Sequence, residues 1–197
     1  MAFIRTVPLA EATGDVQAMY QQTRESLGYV PNYVTAFSLR PEIWNGFVSI
    51  TESILRNMDS RRYELVIVGV ALALECSYCA LSHGQVLRDQ HLGVEGTEAF
   101  ARDFQSSSIT PAEKAMVAFV QKIARRSSAI TQEDVDVLRG HGFADEEIFD
   151  IISAATARCL MSKLLDAVGA EPDALYADLE PSLRQALTVG RAIEQRA

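Results

Sequence analysis

The longest apolar run in the chain is LVIVGVALAL, residues 65–74. A membrane-spanning helix needs about 18–20 apolar residues, so this run is too short to cross a bilayer. A helix that is apolar on every side must instead be surrounded by other elements of the fold. Asp59 or Ser60 can cap its N-terminus, which predicts a helix that ends near Leu74. The run therefore predicts a helix at the centre of the core.

Start and stop signals divide much of the remaining chain into helices. Pro41 suits a first helical turn, and residues 110–113 have the sequence of a capping box. Gly28 can end one helix, and Gly169 can end a long helix over residues 145–165. No convincing strand pattern, in which apolar and polar residues alternate, competes with this helical spacing. We therefore predict an all-α fold.

The length of 197 residues suits a single domain that comprises residues 1–197. The polar stretch QSSSI, residues 105–109, separates a first half (29–104) from a second helical half (110–170). We expect residues 180–197 to form a C-terminal helix. The chain is thus predicted to be a helical bundle in two parts with one terminal helix.

A weak internal repeat relates these two halves. Residues 59–74 align with residues 145–160, and Asp, Ala and Leu are identical at matching positions. In the second copy, the positions of the first copy's cysteine pair and histidine hold Ser162, Leu165 and Gly169. If the halves are related helical hairpins, only the first carries a reactive cluster.

Charge and cysteine content exclude several classes of protein. The formal net charge is −8, and the basic pairs Arg61-Arg62 and Arg125-Arg126 are isolated, whereas a nucleic-acid binder has a basic stripe. The N-terminus lacks the long apolar region of a signal peptide, so we expect a cytoplasmic protein without membrane segments. Three cysteines do not make a disulfide scaffold. In a reducing compartment, a CxxC pair indicates redox or metal chemistry.

The stretch ECSYCALSHG, residues 75–84, contains that pair and one of the three histidines. If a helix begins near Glu75 or Cys76, then Cys76, Cys79 and His83 lie on one face at positions i, i+3 and i+7. The amides and dipole at a helix N-terminus stabilise a thiolate, and CxxC cysteines there have pKa values of about 3.5–7.5. His83 lies one turn beyond Cys79, where its imidazole can exchange a proton with that sulfur.

Glu64 is a candidate partner for His83. If the chain reverses near residue 75, Glu64 lies ~16 Å from the turn on one helix and His83 ~12 Å from it on the next. The offset is less than one helical turn. Glu64 can therefore orient His83 directly or through a water molecule.

From the residues alone, three interpretations of the cluster stay open. It is a redox dithiol, half of a zinc site, or an inert pair in a core helix. Structural zinc usually has four ligands, and no second CxxC pair or fourth ligand is evident. Glu64 also suits a first-turn carboxylate, and His83 a structural histidine. We expect Trp44, Phe47 and Tyr63 to pack in the core or at subunit contacts, and we expect Cys159 to be a core residue.

The constellation of Glu64, Cys76, Cys79 and His83 within RRYELVIVGVALALECSYCALSHG resembles a known family. It is similar to the alkylhydroperoxidase AhpD-like group, in the carboxymuconolactone decarboxylase-like superfamily, and looks most like the peroxidase-related branch. The resemblance covers about residues 29–170. It implies an AhpD-like helical bundle and a homo-oligomer.

The resemblance also implies a function. Cys79 would attack a hydroperoxide, Cys76 would resolve the sulfenic acid to a disulfide, and Glu64 and His83 would relay protons. The substrate would be an organic hydroperoxide or hydrogen peroxide. The implied reductant is an external dithiol on a thioredoxin-like or lipoyl-bearing protein, with no bound cofactor or metal.

One residue departs from the pattern of the best-known members of the group. Tyr78 stands between the cysteines, where those members have a histidine. A phenol is a poor base at neutral pH, which bears on the expected peroxidase rate more than on the dithiol chemistry. Two alternatives therefore stay open: an oxidoreductase acting on protein disulfides, and a non-enzymatic redox-sensing or zinc-binding module.

Overall fold

The computed structural model describes residues 2–195, and their regular secondary structure is entirely helical. The α-helices in that range are α1 (Gly14–Leu27), α2 (Asn32–Ala36), α3 (Pro41–Leu55), α4 (Ser60–Ala73), α5 (Ser77–Leu87), α6 (Gly93–Arg102), α7 (Pro111–Arg126), α8 (Gln132–Gly140), α9 (Asp145–Val168) and α10 (Pro181–Leu187). A π-helical segment, Arg88–Leu92, joins α5 to α6. The all-α prediction is confirmed. None of the helices in residues 2–195 has the length and apolar character that crossing a bilayer requires.

Helix α4 is the centre of the core, as its sequence predicts. The Asp59 side chain accepts a hydrogen bond from the Arg62 amide at 2.9 Å and caps the helix. Residues 63–71 are all buried, because α4 packs against α5, α7 and α9. Ion pairs at its N-terminal end fix two of these contacts. Arg61 reaches Glu113 at the start of α7, and Arg62 reaches Glu147 at the start of α9, both at 2.6 Å.

A tight turn reverses the chain between α4 and α5. Glu75 adopts a left-handed conformation with φ of 56°, and the Cys76 amide donates to the Ala71 carbonyl at 2.9 Å. Cys76 is the N-cap residue of α5, which begins at Ser77. The predicted antiparallel hairpin therefore forms at the predicted position and places the CxxC pair at a helix N-terminus.

Other predicted boundaries are also confirmed. Gly28 and Gly169 end α1 and α9 in the left-handed conformation that glycine adopts readily. Thr110 and Glu113 form the predicted capping box at the start of α7. These local signals lie within a few residues of each helix end, and so the sequence is sufficient to place them.

The second half does not repeat the hairpin of the first. Helix α9 continues without a break through Met161 and Ser162, at the positions that correspond to Glu75 and Cys76. A shared origin of the two halves stays a prediction.

The C-terminal helix is shorter than the predicted range of 180–197. Helix α10 ends at Leu187, residues 188–195 are not helical, and residues 196–197 lie outside the described chain. The non-helical segment crosses the α4–α5 turn, where the Gly190 amide donates to the Ser77 hydroxyl at 2.7 Å. A Cβ atom on residue 190 would lie 2.0 Å from the Glu75 carbonyl oxygen. This tertiary contact holds the segment in a conformation that helical propensity does not anticipate.

We predict that Gly190→Ala destabilises the protein by about 1–3 kcal/mol, because the new methyl group overlaps backbone that cannot move away cheaply. Gly46→Ala is the matched control. The new Cβ meets nothing within 4 Å in the middle of α3. Because alanine is a better helix former than glycine, this change is expected to raise the free energy of unfolding by about 0.5–1 kcal/mol. Urea unfolding measures both changes, and limited proteolysis reports release of the C-terminal segment. Equal stability and equal protease resistance for Gly190→Ala and the wild type would contradict the close contact.

Candidate active site

The two cysteines of the CxxC motif are free thiols buried at the N-terminus of α5. Cys76 is 0% exposed and Cys79 is 2% exposed. A hydrogen bond from Cys76 lowers the pKa of Cys79 well below the usual thiol value, against the opposing effect of burial. The same hydrogen bond, together with burial, raises the pKa of Cys76. The two shifts act in opposite directions and polarise the pair, because they favour the thiolate at Cys79 and the thiol at Cys76.

Arg158, from the middle of α9, is the nearest positive charge to Cys79. Its Nη1 lies 3.4 Å from the Cys79 sulfur, and its charge helps to lower the pKa of Cys79. The residue is only 5% exposed. A buried guanidinium requires compensating charge and hydrogen bonds, and a thiolate at Cys79 supplies both. The Ser162 side chain, one turn further along α9, also lowers the pKa of Cys79.

His83 and Glu64 are in direct contact across the α4–α5 hairpin. The His83 Nδ1 atom lies 2.8 Å from Glu64 Oε2, and its Nε2 lies 2.9 Å from Arg158 Nη2. A guanidinium can only donate hydrogen bonds, so Nε2 must be the acceptor. The ring proton is then on Nδ1 and is donated to Glu64. This assigns a neutral imidazole with a defined tautomer.

The four residues singled out in the sequence therefore lie together, with one difference from the expected order. The sequence predicts that His83 exchanges a proton directly with Cys79. In the structure the Arg158 guanidinium joins them, with one nitrogen on the imidazole and another on the sulfur. The predicted roles of Glu64, Cys76, Cys79 and His83 stay predictions.

Residues of α9 also surround Cys76. Its sulfur lies 3.8 Å from the Ser162 carbonyl oxygen, which can accept the thiol proton. The Asp166 carboxyl group interacts with the same thiol, and burial raises the pKa of this carboxyl above its usual value. Cys76 thus has two oxygen acceptors on the side of α9, whereas Cys79 has a cation.

Tyr78, the residue between the cysteines, ties the motif to other parts of the fold. Its hydroxyl donates to Asp173 and accepts a hydrogen bond from the Tyr33 amide at 2.9 Å. Asp173 in turn accepts from the Asn32 amide at 2.8 Å. Burial and the adjacent Asp173 carboxylate raise the pKa of Tyr78 above its usual value. The phenol therefore links α5 to α2 and to Asp173, which follows α9, and it is not a base.

A cavity of about 240 Å³ leads to the reactive groups. Cys79, His83 and Arg158 are part of its lining. The apolar part of the lining comprises Tyr33, Trp44, Phe47, Val48, Tyr63, Tyr78, Met161 and Leu165. Trp44, Phe47 and Tyr63 pack in or against the core, as expected, and the structure shows in addition that they form part of the cavity wall.

Neither the remaining cysteine nor a metal-binding group adds to this centre within residues 2–195. Cys159 is half-buried on α9, less enclosed than expected of a core residue. Within residues 2–195, no three side chains of histidine, cysteine, aspartate or glutamate form a group able to hold a metal ion. Both ring nitrogens of His83 already have partners.

Arg158 is the site residue that sequence reasoning missed. It stands alone as a charged side chain in the small and apolar stretch SAATARCL, residues 153–160. A charge in such a stretch is almost never fully buried unless it is paired, and this pattern was the available signal. The identity of its partners depends on how α9 packs on α4 and α5, which the sequence alone does not specify.

Comparison with known proteins gives structural neighbours only. No protein-family model and no curated protein matches the sequence. An uncharacterised peroxidase-related protein from Ralstonia eutropha JMP134, described as an alkylhydroperoxidase AhpD core, superposes with a TM-score of 0.79 at 23% identity. That match covers 89% of this chain and 94% of the other.

Two further neighbours share the fold. An uncharacterised peroxidase-related protein from Silicibacter sp. TM1040 has a TM-score of 0.77 and 26% identity, with 87% and 92% of the two chains covered. The debrominase Bmp8, solved in complex with 2,3,4-tribromopyrrole, has a TM-score of 0.72 and 16% identity, with 94% and 95% covered. The chain has the AhpD-like fold, and its resemblance to the peroxidase-related AhpD-like proteins is confirmed.

Proposed function

We propose that the protein is a thiol-dependent peroxidase in which Cys79 is the peroxidatic residue and Cys76 the resolving residue. The observation that carries this proposal is the polarised pair beside a buried cation, with Arg158 3.4 Å from the Cys79 sulfur. A thiolate next to a second thiol is the arrangement that reversible peroxide chemistry requires. The peroxidase-related neighbours support the same class of activity.

In the first step, the Cys79 thiolate attacks the distal oxygen of a hydroperoxide. The sulfur–oxygen bond forms as the oxygen–oxygen bond breaks, and the alkoxide leaves and takes a proton to become the alcohol. Arg158 lines the cavity and can stabilise the charge on the departing oxygen. Cys79 is oxidised to a sulfenic acid, and the hydroperoxide is reduced.

In the second step, Cys76 attacks the Cys79 sulfur. The disulfide forms, the sulfur–oxygen bond breaks, and hydroxide leaves as water with the proton of Cys76. The Ser162 carbonyl and the Asp166 carboxyl group flank that thiol and can guide its proton. An external dithiol then restores both cysteines by thiol–disulfide exchange and is itself oxidised.

His83 is the proposed acid–base group, and Glu64 is its positioning residue. Glu64 Oε2 is 2.8 Å from His83 Nδ1, so the carboxylate orients the ring and stabilises an imidazolium. Before turnover, Nε2 accepts a hydrogen bond from Arg158 and keeps the guanidinium beside Cys79, and Nε2 can take up a proton only when that hydrogen bond opens. The pair therefore contributes both to proton transfer and to the position of the cation.

The alternative is a dithiol–disulfide oxidoreductase that acts on proteins. Burial of both sulfurs favours the peroxidase, because a folded protein disulfide does not enter a cavity of about 240 Å³. The same burial favours a reductant that carries its dithiol on a thin arm, such as a lipoyl group, over a compact thioredoxin-like protein.

Exposed apolar side chains on α3 and α9, Ile50 and Phe149 among them, support a homo-oligomer.

The first prediction concerns the disulfide. Reduced protein has three thiols per chain. One equivalent of an organic hydroperoxide should rapidly lower this number to one free thiol per chain, because Cys76 and Cys79 form a disulfide. Cys79→Ser should abolish turnover with a dithiol reductant, whereas Cys159→Ser should not affect it. Thiol titration and peptide mapping measure these outcomes. Three thiols that persist for many minutes at neutral pH would remove the peroxidase proposal.

The second prediction concerns Arg158 and pH. The pKa of Cys79 is lowered well below the usual thiol value, so its alkylation should stay fast at pH values where an ordinary thiol is mostly protonated. Arg158→Met removes a stabilising cation and raises this pKa. Each unit of increase lowers the thiolate population about tenfold below the new pKa. Alkylation at pH 7 should therefore slow and recover as the pH rises.

Arg158→Lys serves as the control for this experiment, because it keeps the charge and should restore part of the rate at pH 7. Site-resolved mass spectrometry separates Cys79 from the other two cysteines. An unchanged pH profile in Arg158→Met would contradict the proposed role of the guanidinium.

The third prediction concerns Glu64. Glu64→Gln retains a hydrogen-bond acceptor for His83 but removes the charge that stabilises the imidazolium. Turnover should fall by about 10²-fold, the lower end of a general acid–base contribution, with the melting temperature nearly unchanged. Glu146→Gln, an exposed change on α9, is the matched control. Equal turnover in Glu64→Gln and the control would exclude the relay.

A further inference from the structure

Four aromatic side chains form a continuous belt along one side of the cavity. The ring centroids of Phe47 and Trp44 are 6.2 Å apart, those of Trp44 and Tyr33 are 5.6 Å apart, and those of Tyr33 and Tyr78 are 5.7 Å apart. The belt ends at the CxxC motif, because Tyr78 directly precedes Cys79. A ligand that reaches the Cys79 sulfur through this cavity therefore passes along aromatic faces and edges.

The cavity wall has a cation at its reactive end and a carboxylate at its outer end. Arg158 already contacts Cys79 and His83 with its two terminal nitrogens. The other charged residue of the lining is Glu52, an exposed carboxylate that also lines an outer groove between α1 and α3. A negatively charged group at the far end of a ligand would thus be repelled by Glu52, and the one cation of the lining is already paired. The lining favours neutral ligands.

The size of the cavity limits the ligand to about one ring. A dry cavity of ~150 Å³ is enough to bind benzene in an engineered protein core. At about 240 Å³, this cavity has room for one six-membered ring with a short branched substituent. It is large compared with hydrogen peroxide, which has no apolar surface to place against the belt.

We infer that the cavity selects neutral hydroperoxides that carry a single aromatic ring, or an apolar group of that size, over hydrogen peroxide. This inference rests on the proposed function and names its substrate class. The reaction is the one described above, with the distal oxygen transferred to the Cys79 sulfur and the ring-bearing alcohol released. The Arg158 guanidinium lines the cavity and is the candidate donor to the hydroperoxide oxygens.

Trp44 is the only tryptophan of the chain and lies in the belt, so its fluorescence reports directly on the cavity. The first experiment titrates reduced protein with 2-phenyl-2-propanol, the redox-inert alcohol that corresponds to cumene hydroperoxide. A saturable change in Trp44 emission is expected. The para-carboxylate of the same alcohol should bind at least tenfold more weakly because its charge faces Glu52.

The second experiment compares rates of thiol loss with cumene hydroperoxide and with hydrogen peroxide. The wild type should react at least tenfold faster with cumene hydroperoxide. Thr51→Phe places a ring in the cavity, since Thr51 belongs to its lining. This change should abolish the fluorescence response and the preference, because the rate with cumene hydroperoxide falls more than the rate with the smaller hydrogen peroxide. Ser53→Phe, two residues along α3 on the exposed face, is the control and should behave as wild type.

The outcomes separate this inference from the proposed function. Absence of a saturable fluorescence change, or equal rates with the two peroxides, would overturn the inference and leave the peroxidase intact. Saturable binding of the alcohol with no thiol loss for either peroxide would overturn the peroxidase and support the ring site. A preference that survives in Thr51→Phe would show that the cavity does not determine selectivity.

Discussion

The contact between Arg158 and Cys79 is the constraint on which the rest of the site depends. A guanidinium that is 5% exposed costs several kcal/mol to bury unless an anion and hydrogen bonds compensate for the lost water. Here the compensation comes from two other helices. On α5, the Cys79 sulfur contacts the guanidinium directly. On α4, the Glu64 carboxylate acts through His83, which lies between it and Arg158. The charge state of Cys79 is therefore tied to the packing of α9 against the α4–α5 hairpin.

This link has a consequence for the proposed cycle. When Cys79 enters a disulfide, it no longer carries a negative charge, and Arg158 loses its direct ionic partner in a buried place. The reduced form keeps that partner. Interactions that favour the thiolate over the disulfide make the disulfide a stronger oxidant, and so easier for an external dithiol to reduce. In the proposed cycle, the interaction that activates the thiol thus also favours the return to the reduced state, and one buried cation would serve both halves.

The parts of the molecule that could be predicted from the sequence are those that local rules determine. Asp59 caps α4, Gly28 ends α1, and Cys76 begins α5, because each signal and its effect lie within one helical turn. The cluster of Cys76, Cys79 and His83 is of the same kind, since helical spacing alone brings it to one face. The end of α10 was predicted wrongly because the contact between Gly190 and the Glu75 carbonyl joins residues 115 positions apart. Arg158 was missed because its partners lie on other helices.

The proposed reactivity and the proposed selectivity are consequently encoded in different ways. The dithiol is a short motif at a helix N-terminus, and one residue of another helix, Arg158, completes it. The aromatic belt is drawn from α2, α3 and α5, and no spacing rule relates Tyr33 to Tyr78. The Tyr33 amide donates a hydrogen bond to the Tyr78 hydroxyl, and this hydroxyl donates in turn to Asp173, which follows α9. Tyr78 therefore occupies the middle of the CxxC motif as a part of the cavity wall, and we expect substitutions along the belt to change the proposed substrate while the reactive pair stays the same.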